Sequence, residues 1–153
     1  MQQVLPVGIL SVPDSYQTRS EVFVFASAIA PVPAPRSLKS PETRPVPNLH
    51  ITRRRAQGWN DPVEVLLHTL QEITPLLNRS QIGQAEPFPF DDGAVGASIR
   101  FTAEPLPGSK SVQHHIVRVD DGVATSFVAS AHELEEVRLS KELLPIIRSY
   151  RST

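Results

Sequence analysis

Two stretches decide the fold: VPDSYQTRSEVFVF at residues 12–25 and NLHITRR at residues 48–54. In the first, Pro13-Asp14 predicts a turn, because proline fixes φ and the aspartate side chain can bond the following backbone. The run Val22–Phe25 lacks the alternation of a strand with one wet face, so it predicts a strand covered on both sides. One cover can be the protein's own core, and the other requires a second partner.

Strand and turn signals continue along the chain in an order typical of an antiparallel sheet. Strands are expected at residues 7–12, 21–26, 49–53, 82–90, 94–104, 112–119 and 123–131. The turns Asp91-Asp92-Gly93 and Asp120-Asp121-Gly122 each join two of them, since aspartate tolerates turn conformations and glycine supplies positive φ.

Two helical regions interrupt or follow these strands. Asp61 is a natural N-cap, with Pro62 at the first helical position and Glu64 completing a capping box, and Pro75 should kink or end this helix. The tail from His132 to Tyr150 is expected to be helical in pieces, with Pro145 breaking it or lying in the first turn of the last piece. Five residues of this tail are expected to face the core: Leu134, Val137, Leu143, Ile147 and Tyr150. The sum predicts an α+β fold, an antiparallel β-sheet with helices packed on one face and the other face open and concave.

Length and composition predict one domain spanning residues 1–153, with a proline-rich loop at residues 28–47. Six prolines lie within that loop, so it is either a tolerated insertion or an arm that wraps a partner. A formal net charge of −1 argues against nucleic-acid binding. No apolar run approaches the ~20 residues of a membrane span, so no stable membrane insertion is expected.

The residue patterns indicate no catalytic chemistry. Adjacent His114 and His115 would point to opposite faces of a strand, so a shared metal ion is not expected. The paired aspartates before Gly93 and Gly122 are explained by turn formation. No nucleophile elbow or phosphate-binding loop is present, so we expect no enzyme activity, no metal and no cofactor.

An interaction surface is better supported. Phe23 and Phe25 share one face of the second predicted strand with Glu21, and Gln113 and His115 point the same way on a later strand. Three helix residues form a neighbouring stripe: Thr69, Ile73 and Leu77. Apolar side chains mixed with amide and imidazole groups suit a groove that holds a helix. The alternative, that Phe23, Ile73 and Leu77 are plain core, stays open.

The Pro-Asp turn before Tyr16, the Ser20 that opens the apolar strand and the Asn48-Leu-x-Ile-x-Arg strand resemble the opening of the DcrB-like family of small bacterial domains with a PsbP-like fold. Within that family the chain is similar in character to the EagR-type chaperones of type VI secretion. Those proteins are dimers whose concave sheet face cradles the hydrophobic N-terminal transmembrane segments of PAAR-containing effectors.

The resemblance implies the positions of the groove residues. An aliphatic pair on the second strand matches Glu21 and Phe23, and a strand Arg-Gln pair matches His114 and His115. A stripe on the early helix matches Thr69, Ile73 and Leu77. Glu21 and both histidines depart from the family's residue types.

The function implied is a cytoplasmic, homodimeric chaperone or adaptor that binds hydrophobic helices of a secreted effector. One alternative is an immunity or scaffold protein that binds a folded partner, through loop 28–47. Another is a DcrB-like domain with a small-molecule ligand.

Overall fold

The computed structural model describes the backbone of residues 2–5, 8–11, 16–18, 24–27, 47–56, 58–73, 81–106 and 108–152. Side chains are described from Pro47 onward, except at Ile73, Pro105 and Leu106. The proline-rich loop therefore lies outside the described residues, apart from Pro47.

The central feature is a large antiparallel sheet with the strand order β3-β4-β5-β10-β9-β8-β6, to which β7 adds by pairing with β8. Its strands are β3 (Tyr16–Thr18), β4 (Val24–Ser27), β5 (Asn48–Arg55), β6 (Gln81–Ile82), β7 (Glu86–Pro89), β8 (Val95–Leu106), β9 (Ser109–Asp120) and β10 (Val123–His132). A smaller sheet has the order β1-β2-β11, from β1 (Gln2–Leu5), β2 (Gly8–Ser11) and β11 (Arg151–Ser152). The end of the chain thus pairs with its beginning.

Turn chemistry fixes the long hairpin of β9 and β10. Asp121 has φ of 48° and Gly122 has φ of 75°, the pair of positive values that a tight two-residue hairpin turn requires. The predicted hairpin around Gly93, with β8 as its second arm, is also present. Its first arm is split into β6 and β7, which both pair with β8. Pro87 and Pro89 are compatible with β7 because it lies at the edge of the sheet.

The first helix, α1 (Pro62–Ile73), begins where the sequence predicted. The Asp61 carboxylate accepts a hydrogen bond from the backbone N–H of Val63 at 2.8 Å, which satisfies one of the unpaired donors of the first turn. The predicted kink or end at Pro75 lies outside the described residues. Val65, Leu66 and Leu70 of α1 are buried against side chains of β8 and β9, among them Ala97, Ile99, Phe101 and Val117.

The second helix, α2 (Glu136–Arg148), follows a 3₁₀ turn at Glu133–Glu135. Pro145 lies inside α2 and neither breaks it nor begins a new segment, which corrects the prediction. Leu143, Ile147 and Tyr150 are buried as expected. Leu134 and Val137 are 43% and 66% exposed instead, because the stripe that faces the sheet runs through Leu139, Leu143, Ile146 and Ile147.

The two helices pack on opposite faces of the sheet. Strand neighbours point to opposite faces, and Ile116 of β9 belongs to the cluster that α2 covers whereas Val117 belongs to the cluster that α1 covers. The α+β class, with an antiparallel sheet and helices packed on it, is as predicted. The placement of both helices over one face is corrected. Among the described residues, the part of the α1 face beyond α1 has no helix over it.

A buried cation, Arg118, links the sheet to Tyr150, which follows α2. The Arg118 guanidinium lies 2.6 Å from Asp120 and 2.8 Å from Asp92. The Cζ atom of Arg118 lies 5.0 Å from the ring centroid of Phe90 and 5.6 Å from that of Tyr150. Both carboxylates raise the pKa of Arg118 against the effect of burial, and the arginine lowers the pKa of Asp92, whose partial desolvation acts the other way. These partners assign Arg118 a structural role.

Candidate partner-binding groove

A groove runs along the α1 face of the sheet, between α1 and the strands β5, β10 and β9. It encloses a volume of about 210 Å³. Its lining side chains include Thr52, Arg54, Leu66, Thr69, His115, Val117, Ser126 and Val128. We call this the strand–helix groove.

Sheet register brings the floor of the groove together. His50, Val128 and His115 are cross-strand neighbours in one row. Thr52, Ser126 and Val117 form the next row. Directly opposed residues of an antiparallel pair lie on the same face, so both rows face α1. The floor therefore combines aliphatic side chains with hydroxyl and imidazole groups.

Arg54 and Thr69 join the helical wall of the groove to its floor. The Arg54 guanidinium donates to the Thr69 hydroxyl at 2.6 Å, and that hydroxyl donates to the Val65 carbonyl at 2.8 Å. Arg54 also lies 3.7 Å from the Glu72 carboxylate. Arg54 is thus held on α1 by two contacts, while its side chain remains 41% exposed.

His115 is the most buried polar residue of the groove, at 6% exposure. Its ring packs 4.7 Å from the Phe101 centroid, and Nε2 lies 3.2 Å from the Gln113 amide oxygen. Burial, with a smaller contribution from His114, lowers the pKa of His115 to about 4. The ring is therefore neutral at pH 7, and if it donates through Nε2 it keeps Nδ1 as an acceptor.

His114 lies on the opposite face, as the alternation along β9 predicted. It pairs across strands with Arg100 and Ala129, and Arg100 holds Glu136 of α2 through contacts of 2.6 and 3.0 Å. Burial lowers the pKa of His114, Glu136 opposes that effect, and Arg100 adds to it. His114 is thus part of the α2 side of the sheet and does not contribute to the groove.

The structure brings together three of the eight predicted groove residues. Thr69 and His115 line the strand–helix groove, and Gln113 is hydrogen-bonded to His115 beside it. Glu21, Phe23 and Leu77 lie outside the described residues, and only the backbone of Phe25 and Ile73 is described.

Backbone pairing places Phe25 in a different row from His115. Phe25 is opposite Leu49, in the row that contains Ala129 and His114. Val24 is opposite His50, so Val24 is the β4 residue in the row of His115. The predicted grouping of Phe25 with His115 is therefore offset by one residue.

Several lining residues are absent from the predicted groove, among them Thr52, Arg54, Ser126 and Val128. A signal was present in β5, where His50, Thr52 and Arg54 alternate with Leu49 and Ile51. That alternation predicts one dry and one wetter face, and the wetter face is the groove.

A second depression lies on the outer side of α1, towards β6. It has a volume of about 750 Å³, and its apolar lining includes Leu67, Leu70, Ile82, Ala85 and Ile99. Gln71 and Gln84 supply amides. Leu67 and Ile82 are 45% and 44% exposed. We call this depression the apolar trough.

The described part of the chain has no helix long and apolar enough to cross a membrane. Within the same residues, no three histidine, aspartate or glutamate side chains come together as a metal-binding group.

Comparison with solved structures decides the fold family. The Saccharomyces cerevisiae Ran-binding protein Mog1p superposes with a TM-score of 0.60 at 10% sequence identity, over 95% of this chain and 89% of that one. CyanoP, the PsbP of Synechocystis, gives 0.57 at 13% identity, over 95% and 86%. The fold is PsbP/Mog1-like.

Another solved structure with this fold is bacterial. The Pseudomonas aeruginosa protein PA94, a candidate regulator of unknown function, gives a TM-score of 0.57 at 12% identity, over 92% of this chain and 91% of that one. No family model matches the sequence, and no curated protein matches it. At these identities the PsbP/Mog1-like likeness concerns the fold alone.

Proposed function

We propose that this chain is a cytoplasmic, non-enzymatic chaperone or adaptor that holds an apolar helix of another protein in the strand–helix groove. Following the DcrB-like resemblance, we propose more specifically that the client is the hydrophobic N-terminal transmembrane region of a PAAR-containing type VI secretion effector. The observation that carries it is the groove that the described residues leave beside α1. Thr52, Ser126 and Val128 are accessible on its floor, and His115, at 6% exposure, contributes the edge of its ring.

The groove chemistry suits such a client. An apolar helix of ~20 residues aggregates in water, and burying its surface stabilises it by ~25 cal/mol per Å². Val128 supplies apolar contact area, while the hydroxyls of Thr52 and Ser126 can bond small or hydroxylated side chains of the helix. Mixed contacts of this kind favour particular helices over indiscriminate binding.

The proposal requires no bond to be made or broken. His115 is neutral and hydrogen-bonded to Gln113, and Arg118 is bound between two aspartates. Release can come from competition by the secretion spike or by the target membrane. A homodimer, as in the family that the chain resembles, would present two such grooves to one client with several apolar segments.

A small-molecule ligand is the second candidate, because the apolar trough falls within the volume range of ligand sites. A ligand there would contact Leu67 and Ile82, which lie away from the strand–helix groove. The immunity or scaffold alternative would use loop 28–47, most of which is outside the described residues.

Co-expression with a PAAR-containing type VI secretion effector tests the proposal. The chaperone should raise the level of an effector whose N-terminal apolar segments are intact, and should lose that effect when those segments are deleted. An immunity protein would bind the toxin domain regardless. A small-molecule carrier would bind neither form.

A matched pair of substitutions tests the groove itself. Val128→Asp places a charge on the groove floor, where Val128 is half-buried, and we expect co-purification of the effector to fall at least tenfold. Val95→Asp makes the same chemical change at a valine that is 61% exposed and outside the groove, and should bind normally. Circular dichroism and thermal melting establish that both variants are folded. Normal binding by folded Val128→Asp would contradict the proposed site.

A further inference from the structure

We propose that the client helix carries an acidic side chain, which pairs with Arg54 at the edge of the strand–helix groove. The inference rests on the proposed function and specifies the chemistry of the partner. It follows from the position of one cation in a groove that otherwise offers neutral groups.

Arg54 is positioned to receive a carboxylate. Thr69 accepts one N–H of the guanidinium at 2.6 Å, and Glu72 lies at 3.7 Å, longer than a direct hydrogen bond. A guanidinium has five N–H donors in a planar fork that matches a carboxylate. The hydroxyls of Thr52 and Ser126 belong to the same lining and add further donors.

The charges around the groove favour a negative ligand. Arg54 is the one formally charged side chain among its described lining residues, since His115 is neutral at pH 7. Arg53 and Arg55 flank it along β5. The carboxylate beside Arg54, that of Glu72, is 54% exposed.

A helix laid into the groove would remove water from Arg54. Desolvating a cation is costly unless an anion replaces the lost hydration. A wholly neutral helix would leave Arg54 only the Glu72 carboxylate at 3.7 Å to offset that cost, whereas a glutamate or aspartate beside the apolar stretch would add a direct partner. Arg54 would then select among apolar helices and fix how the bound helix lies.

The test uses synthetic apolar peptides of ~20 residues, built from leucine, alanine and serine. Each has a single glutamate near one end or in the middle, and each has a partner peptide with glutamine at the same place. Fluorescence anisotropy measures binding at low ionic strength. We expect the best glutamate peptide to bind the wild-type protein about fivefold more tightly than its glutamine partner, as for a partly exposed ion pair. Salt at ~1 M should reduce that preference.

Three variants separate a specific pair from general attraction. Arg54→Gln should abolish the preference. Glu72→Gln removes the competing carboxylate and should increase it, which gives a second measurement if Arg54→Gln does not fold. Arg53→Gln is the matched control: it removes the same charge from the same strand at an exposed residue that does not line the groove, and it should keep the preference.

The outcomes are distinguishable. Equal binding of both peptides to the wild type would overturn the acidic-client inference and leave the groove intact. If Arg53→Gln lost the preference as completely as Arg54→Gln, the preference would reflect general electrostatic attraction and not a specific ion pair. That result would also overturn the inference. Failure of all peptides to bind the wild type would overturn the groove as well.

Discussion

At the scale of single residues, His114 and His115 show how one step along a strand separates two roles. His114 lies with Arg100 and Glu136 beneath α2, whereas His115 lies in the strand–helix groove against Phe101. Burial lowers the pKa of both rings. Because His115 stays neutral, it can offer hydrogen bonds to a client without adding a second cation beside Arg54.

The lowered pKa of His115 predicts a pH-dependent stability. The unfolded ring titrates near 6.5 and the folded ring near 4, so between these values the unfolded state binds more protons. The free energy of unfolding is therefore unaffected by this ring above about pH 6.5. It decreases as the pH falls towards 4, and the total loss is about 3 kcal/mol. Urea unfolding should show a smaller loss between pH 7 and 4 in His115→Gln than in the wild type.

Nuclear magnetic resonance provides the direct check of this titration. A ring signal absent from His115→Gln should titrate near pH 4 in the wild type. A ring that titrates near 6.5, together with equal pH slopes for the two proteins, would show that His115 is accessible to water and contradict its burial at 6% exposure.

At the scale of elements, Pro145 is the feature of α2 that conflicts with its local sequence. Proline lacks the N–H that would bond the carbonyl four residues earlier, and its ring crowds that turn. The helix nevertheless continues to Arg148, because Leu143, Ile146 and Ile147 are buried against the sheet on both sides of the proline. Packing of α2 against the sheet therefore outweighs the unfavourable effect of Pro145 on the helix.

Replacing Pro145 by alanine should therefore stabilise the protein. Restoring the helical hydrogen bond and removing the steric conflict should contribute about 3 kcal/mol, from which the greater entropy of the unfolded chain removes about 1 kcal/mol. Urea unfolding should show a net gain of about 2 kcal/mol. Ser140→Ala, at an exposed position of the same helix, should gain about 0.5 kcal/mol or less. An unchanged or lowered stability of Pro145→Ala would mean that the proline makes a favourable contribution of its own.

Local signals predicted the elements well because they depend on nearest neighbours. The Asp61 cap and the turn at Asp121-Gly122 both follow from backbone chemistry within a few residues. The face that each helix covers depends on distant packing instead. In β9 both Ile116 and Val117 are buried, so alternation there does not distinguish the α1 face from the α2 face.

The same limit applies to the groove. Thr69 and His115 were predicted to belong together, and both line it. Thr52, Ser126 and Val128 were not predicted, because their position depends on the pairing of β5 with β10, which brings together residues more than 70 apart in the chain. The prediction likewise grouped Phe25 with His115, whereas the pairing of β4 with β5 puts Val24 in the row of His115.

At the scale of the whole molecule, the PsbP/Mog1-like fold provides a sheet with a helix on each face, and the described residues leave a groove beside α1. Proteins with this fold include one named for binding Ran and the PsbP of a cyanobacterium. The fold does not determine a partner, so the partner must be inferred from the groove. Its mixture of Val128, hydroxyl groups and Arg54 fits an apolar helix that carries an acid.

Site-specific photo-crosslinking tests this claim most directly. A photoreactive residue at Thr52, which is exposed in the groove, should crosslink to the N-terminal apolar segments of the effector. The same residue at Val137, exposed on α2, should not. Crosslinks from position 137 instead of position 52, or crosslinks from position 52 to the folded toxin domain alone, would contradict the account.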